Sequence, residues 1–407
     1  MDRYDYLIIG GGIAGVTAAE TIREHDGLGR IGIISDEPHL LYSRVLLPGF
    51  LKKRIRREQL FLRTAEDFSE KNIELLLEEK VGAADVPRKE VLLTNRRAIS
   101  YDKLLVASGG RVTPWVPEGD PPYVYRLQTL NDADRLLEQL EKITRPIVVG
   151  SSFISLEFLE IFVLNKINPL LLVRGPHFFE NFLDPQGGNL LRDNFEKHGV
   201  ITQFSDAIAE VNERDTTLRV VTKGIRNVDG DALALGIGIE RNVDFLLGSG
   251  VELGKKGVIV NEFLEASVDG VFAAGDVAEF YDVILEKHRT VGNWTSAFLQ
   301  GKCAGLNLVG QRTVFKNVSS YSITNLGFQI TALGECSNKL ESVIRQDRRR
   351  NQYERFFIKD GVLVGAALIN RFQDKTHLAN LIASKTKIEE YRDELKDFTF
   401  DINTIQG

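Results

Sequence analysis

Tyr4-Asp5-Tyr6-Leu7-Ile8-Ile9-Gly10-Gly11-Gly12-Ile13-Ala14-Gly15 runs from an apolar strand through a glycine turn into the start of a helix. Gly10, Gly12 and Gly15 stand at the GxGxxG spacing of a dinucleotide site. The first glycine permits the tight turn, the second lets backbone approach a pyrophosphate, and the third lets the helix pack close to the strand. Ile13 and Ala14 open the helix, whose N-terminal amides then face the phosphates. Working outward, the strand Tyr6 to Ile9, a helix from Ala14 to about His25 and the strand Ile31 to Ile34 make a βαβ unit with parallel pairing. The carboxylate for the ribose hydroxyls belongs at the end of the second strand, where Asp36 and Glu37 follow Ser35.

A second unit opens at Pro146-Ile147-Val148-Val149-Gly150, continues into a helix through Leu156 to about Val163, and returns as the strand Pro169 to Val173. Between the two, Tyr101 to Val106 reads as a buried strand ending in the small-residue turn Ala107-Ser108-Gly109-Gly110. Pro114, Pro117, Pro121 and Pro122 then mark a linker. A matching strand, Gly270 to Asp276, lies far downstream and is expected to return to the first sheet, which makes the second unit an insertion. After residue 316 the pattern changes to strands at Phe356 to Ile358 and Val362 to Ile369, then a polar helix from His377 to about Ser384. The expected fold is α/β, with two Rossmann-like nucleotide-binding domains, the second inserted in the first, and a C-terminal α+β domain. The boundaries fall at residues 1–113 with 243–317, at 114–242 and at 318–407.

A chain of 407 residues exceeds one ordinary core, and 43% hydrophobic with 27% charged residues is globular usage. No apolar run approaches the ~18 residues of a membrane helix, and no signal-peptide pattern opens the chain. A cytoplasmic protein without a membrane partner is the expectation. The net charge of −6 gives no general attraction to nucleic acid. Lys52-Lys53-Arg54-Ile55-Arg56-Arg57, and Arg348-Arg349-Arg350 with nearby Arg345 and Arg355, read first as solvated charge, and second as islands that steer an acidic protein. The two cysteines, Cys303 and Cys336, stand in no CxxC or metal spacing and read as buried free thiols. They are too few for an iron–sulfur cluster. With six scattered histidines, no metal site is expected.

Four further stretches fall in order along the chain: Glu37 to Leu47, Ala107-Ser108-Gly109, Val271 to Val277 with Gly275-Asp276, and Trp294-Thr295-Ser296-Ala297 before Gln300-Gly301. With the glycine turns, they make a chain that resembles the pyridine nucleotide–disulfide oxidoreductase superfamily over nearly its whole length. The branch is that of NAD(P)H-dependent rubredoxin and ferredoxin reductases and the FAD portion of assimilatory nitrite reductase. The resemblance implies glutathione-reductase-type domains, FAD at the first site and NAD(P)H at the second. It implies an enzyme that takes a hydride from NAD(P)H onto flavin and passes electrons to a protein or iron–sulfur acceptor. On this resemblance Glu37 is the ribose carboxylate, Arg44 lies by the FAD phosphates, Gly275 and Asp276 hold the ribityl chain, and Val81, Ala107, Ser108 and Gly109 line the cofactor. Trp294 matches an aromatic beside the isoalloxazine, and Glu157 a carboxylate near the nicotinamide. The lysine that pairs with this glutamate in relatives falls at about Gly49 here, so the pair is expected to be lost. No cysteine stands between Ser43 and Gly49 to form a redox-active disulfide beside the flavin.

The second site departs from the pattern. Gly150-Ser151-Ser152-Phe153-Ile154-Ser155-Leu156-Glu157 keeps the first glycine and carries serine at the other two positions. Gly150, Ser152, Phe153 and Ile154 are expected at the nucleotide, and Ser155 is expected to loosen helix–strand packing. The strand ends Val173-Arg174 where an NAD site carries an acid, which tilts the choice from NADH to NADPH. The partner implied is a small acidic electron carrier such as ferredoxin or rubredoxin, or an iron–sulfur subunit. A homodimer is left open. The alternatives are an FAD electron-transfer subunit reduced by a partner, and a non-catalytic flavin-bound scaffold.

Overall fold

A computed structural model describes residues 2–114, 121–214 and 217–406; Pro117 of the linker lies outside them. The chain forms two compact units. One comprises 1–46, 55–111 and 239–319, the other 47–54, 112–238 and 320–407.

In the first unit the sheet runs in the order Ile73–Leu76, Ile31–Ile34, Asp2–Ile9, Ala98–Val106, Glu90–Leu93, Val81–Asp85. Leu7, Ile8 and Ile9 are buried whichever face they take, as expected of a parallel strand covered on both sides. The strand begins at Asp2, earlier than its apolar run, because Asp2 to Tyr4 pair with Ile99 to Tyr101. Val271–Ala273 returns to this sheet beside Leu104 to Val106 in parallel register, as the sequence predicts. The helix Trp294–Leu308 that follows lies on the helix Ile13–His25. Glycines allow that approach: a Cβ at Gly301 would meet Ala14 Cα at 2.9 Å, and one at Gly305 would meet Ala18 O at 2.8 Å.

The second unit is built on a parallel sheet ordered Ile201–Gln203, Leu170–Leu172, Pro146–Val149, Ala232–Leu235, Val124–Tyr125. The helix Phe153–Leu164 packs on it and buries Leu156, Phe158, Leu159 and Phe162. Pro185–Lys197 starts at Asp184, whose carboxylate accepts from Gly187 N, with Pro185 at the first helical position. An antiparallel sheet, ordered Ser320–Asn325, Phe328–Gly334, Val362–Ile369, Gln352–Lys359, Glu341–Asp347, belongs to the same unit. Side chains tie it to the parallel half: Asn325 Nδ2 donates to Leu156 O at 2.7 Å and Asn194 Nδ2 to Leu326 O at 3.2 Å. The helix Lys375–Ala383, polar by its sequence ends, buries Leu378, Leu381 and Ile382. Among the described residues no helix is long and apolar enough to cross a membrane.

Candidate nucleotide sites

The first glycine turn is shaped by main-chain contact. Gly10 has φ +119, and a Cβ there would meet Ala107 C at 2.6 Å. A Cβ at Gly15 would overlap the Gly10 carbonyl and meet Ile8 Cγ2 at 3.0 Å. At Gly12 and at Gly109 nothing lies within 4 Å, so open space faces the helix start. Gly12 caps Ile13–His25 without a side-chain hydrogen bond, and no acid occupies the first turn. The first-turn amides, including those of Ile13, Ala14 and Gly15, have no intrahelical acceptor and favour an anion.

Charged side chains gather around this opening. Glu37, half-buried, accepts from Tyr42 Oη at 2.6 Å and pairs with Arg44, while Asp36 is exposed. Burial pushes the Asp276 carboxyl up, and Arg241 and Arg44 draw it back. Burial lowers Arg241 in turn, against the pull of Asp276. Arg241 Nε is buried with no hydrogen-bond partner among the described residues. An orphaned guanidinium donor and a desolvated carboxylate beside an open glycine turn fit a ligand carrying both phosphate and hydroxyl groups, as FAD does. Arg241 and Asn242 were not legible as site residues, because nothing in their local pattern marks them, and Tyr42 stood in a stretch read for Glu37 and Arg44 alone. Ser108 Oγ donates to Asn242 O at 2.7 Å and Asn242 Nδ2 to Ser108 O at 2.9 Å, which ties the turn after Val106 to the strand end at 242. Val81 is buried at the start of Val81–Asp85.

The Trp294 to Gly301 stretch has a mechanical explanation. Asn293 caps the helix through Ser296 N at 2.8 Å. Gln300 Oε1, fully buried, accepts from Gly275 N at 2.8 Å, and Ser296 Oγ holds the Gln300 amide at 3.2 Å. The turn Gly275-Asp276, with Gly275 at φ +83, is thereby held from the helix. Trp294 is half-buried in its first turn.

The second turn repeats the first with one exchange. Gly150 has φ +111, and a Cβ there would meet Gly236 C at 2.8 Å. Ser152 Oγ accepts from Ser155 N at 3.2 Å and Ser155 Oγ from Ser152 N at 3.3 Å, a reciprocal cap. The expectation that Ser155 loosens the packing is not met, since Ser155 is fully buried. Its hydroxyl is accommodated because the facing residue is Gly236, where a Cβ would overlap Ser155 Oγ and lie 2.7 Å from Ser152 Oγ. The Phe153 ring lies between Tyr321, at 3.9 Å, and Phe179, at 4.7 Å. Arg174 is exposed past the end of Leu170–Leu172.

The expected loss of a lysine partner for Glu157 is also overturned. Lys52, three residues beyond Gly49, reaches both Glu157 and Glu160, and its side chain is 4% exposed. Lys52 is therefore not part of a solvated basic run. Glu157 and Glu160 lie three apart on one helix face, so one ammonium serves both. Arg54, 57% exposed, reaches Glu160 at 3.4 Å from outside. Burial pushes the Glu157 carboxyl up, and the Lys52 charge pulls it back.

Two units, each with a glycine turn between a parallel strand and a helix, define a protein with two dinucleotide-fold sites. The model of the pyridine nucleotide-disulphide oxidoreductase family matches residues 4–301, and that of the rubredoxin NAD+ reductase C-terminal domain matches residues 322–386. The chain belongs to the pyridine nucleotide-disulphide oxidoreductase family, whose members use FAD and NAD(P)H. It is 29% identical over 395 residues to apoptosis-inducing factor 3 of Mus musculus, covering 96% of this chain and 64% of that protein's length. It is 27% identical over 332 residues to an NADH oxidase of Methanocaldococcus jannaschii, covering 79% of this chain and 73% of the other. A crystal structure of a ferredoxin reductase from Rhodopseudomonas palustris superimposes with a TM-score of 0.89 at 25% identity, covering 98% of this chain and 99% of that one.

Proposed function

We propose that the chain is an FAD-dependent oxidoreductase that draws reducing equivalents from NAD(P)H and delivers them to a small acidic electron-carrier protein or an iron–sulfur subunit. The observation that carries this is the cluster of Glu37, Arg44, Asp276 and the unsatisfied Arg241 around the open turn at Gly12. FAD, when bound, supplies the conversion between hydride and single-electron chemistry. A thiol route is disfavoured: Cys303 is buried and its thiol is pushed up to about 12 by burial.

The chain's own residues then have defined tasks. Residues 1–113 with 243–317 bind FAD: Gly10, Gly12, Ile13, Ala14 and Gly15 offer amides to the pyrophosphate, and Arg44 offers charge. Glu37, ahead of the exposed Asp36, accepts ribose hydroxyls and Asp276, held through Gly275, accepts ribityl hydroxyls. Val81, Ala107, Ser108 and Gly109 form wall, and Trp294 covers the ring system. In residues 114–242, Gly150, Ser152, Phe153 and Ile154 receive the nicotinamide nucleotide, and Glu157, with Lys52 from the segment 47–54 that folds into the same unit, sets the charge at its reactive end. Residues 318–407, expected as a C-terminal domain, share one compact unit with residues 112–238 from residue 320 onward. Arg174 is the residue that speaks for NADPH, but the archaeal relative is named for NADH. Cys303 and Cys336 form no disulfide among the described residues, which suits a reducing compartment, the cytoplasm.

Stopped-flow mixing of the FAD-loaded protein with each nucleotide tests the reading. Loss of the oxidised-flavin absorbance with at least one nucleotide is expected, followed by its return on adding ferredoxin or rubredoxin. A trace that stays oxidised with both would overturn it. The reciprocal Ser152–Ser155 cap, which occupies an amide of the helix start, favours one second reading: an FAD subunit reduced by a partner. The same trace separates the two.

A further inference from the structure

We propose that Glu180, supplied by the loop after the strand, is the carboxylate that accepts the adenosine ribose hydroxyls of the nicotinamide nucleotide and makes this site selective for NADH. The proposal rests on the reading of the second unit as a nicotinamide-nucleotide site. In that fold the acid stands at the end of the second strand, within reach of the 2′-hydroxyl. Here Leu170–Leu172 ends in Val173-Arg174-Gly175 and supplies none. The chain loops and brings one back. A Cβ built on Gly175 would lie 2.5 and 2.6 Å from the two Glu180 carboxylate oxygens, so the carboxylate fills the place of a side chain at 175. Glycine at 175 is what admits it.

The loop is fastened to the phosphate turn. Phe179 N donates to Ser151 Oγ at 2.6 Å, and Ser151 directly follows Gly150. On its other side Asn338 Nδ2 donates to Glu180 O at 3.1 Å. Glu180 is half-buried, and among the described residues its carboxylate makes no hydrogen bond or ion pair. It is an acceptor held in place without a donor, beside a turn shaped for a pyrophosphate. Ribose hydroxyls would supply the donors, whereas a 2′-phosphate would bring like charge against it. Arg174, exposed and without an ion pair among the described residues, is not fixed in a position to offset that repulsion.

The test is equilibrium titration of the FAD-loaded protein, wild type and Glu180→Gln, with NADH, NADPH and 2′-deoxy-NADH. Wild type is expected to bind NADH at least tenfold more tightly than NADPH and than the deoxy analogue, since a hydrogen bond to a charged acceptor accounts for a factor of roughly ten to a hundred. Glu180→Gln is expected to lose that factor for NADH, to bind NADPH no worse, and to be indifferent to the 2′-hydroxyl. An unchanged NADH-to-NADPH ratio in the variant overturns this assignment alone. Wild type that binds 2′-deoxy-NADH as well as NADH overturns it without any variant. Failure of wild type to bind either natural nucleotide overturns the second-site reading and this assignment with it.

Discussion

Lys52 is the one ammonium that both the half-buried Glu157 and the buried Glu160 meet among the described residues. Replacing it with methionine leaves Glu157 and Glu160 facing each other, with the exposed Arg54 as the remaining cation paired to them among the described residues. Breaking a buried pair in this way costs about 3–5 kcal/mol, which urea unfolding would measure. The pH dependence has a definite sign. The folded Glu157 carboxyl already lies above its usual value, and losing Lys52 raises it further. Such a group contributes stability below its unfolded value, and the contribution is lost as pH rises through the folded one. The gap between wild type and Lys52→Met should therefore widen from about pH 5 towards neutrality; a gap independent of pH would contradict the role given to Lys52. At the first turn, Gly10→Ala forces a side chain onto the Ala107 carbonyl at φ +119. Strain of about 1–3 kcal/mol at the turn should show as protein purified with little flavin, read from the ratio of flavin to protein absorbance.

At the scale of elements, the helix Phe153–Leu164 and the strand Ala232–Leu235 share one hydroxyl between them. Ser155 and Gly236 are a matched pair, so changes there should be non-additive. Gly236→Ala alone should destabilise, because its Cβ falls onto Ser155 Oγ. Adding Ser155→Gly should restore part of the loss, since it removes that hydroxyl while Ser152 Oγ at 2.7 Å and Ser155 N at 2.8 Å still face the new methyl. Thermal melts of both single variants and the double variant measure this, and simple additivity would show that the contact does not govern the packing. Ser152→Ala, which removes the cap alone, should cost about 1 kcal/mol.

For the molecule as a whole, stability against pH is governed in part by an ion pair deep in the C-terminal sheet. Arg345 and Glu354 meet at 2.6 Å with neither side chain exposed, and Arg371 and Asp374 stand beside them. Burial pushes Glu354 up to about 7 from 4.5, although Arg345 and Arg371 pull it down. Folded protein therefore holds a proton across that window that unfolded chain has released, so stability from this group falls as pH rises from 4.5 to 7. Arg345→Met should destabilise by about 3–5 kcal/mol, and the double change with Glu354→Leu should remove the slope. Denaturant midpoints across that range would decide it.

Much of this architecture was legible because it is local. Ile31–Ile34 and Val362–Ile369 take the bounds their apolar runs predict, and Gly10 and Gly150 both adopt positive φ in turns read from spacing alone. Short apolar runs ending in glycine specify strand and turn through neighbouring residues, so a reading along the chain finds them. The same is true of the first nucleotide turn as a kind of site. The partnerships inside the sites were not legible in this way. Lys52 stands in a run of basic residues and meets a glutamate 105 positions away. Gly236 matters only for what faces it, Arg241 for what surrounds it, and Glu180 for the strand end to which its loop returns. Hydrogen bonds, ion pairs and close contacts act over a few ångströms of space whatever the distance along the chain. The sequence by itself thus determined the elements and the class of site, and the tertiary structure alone decided which charges meet within it.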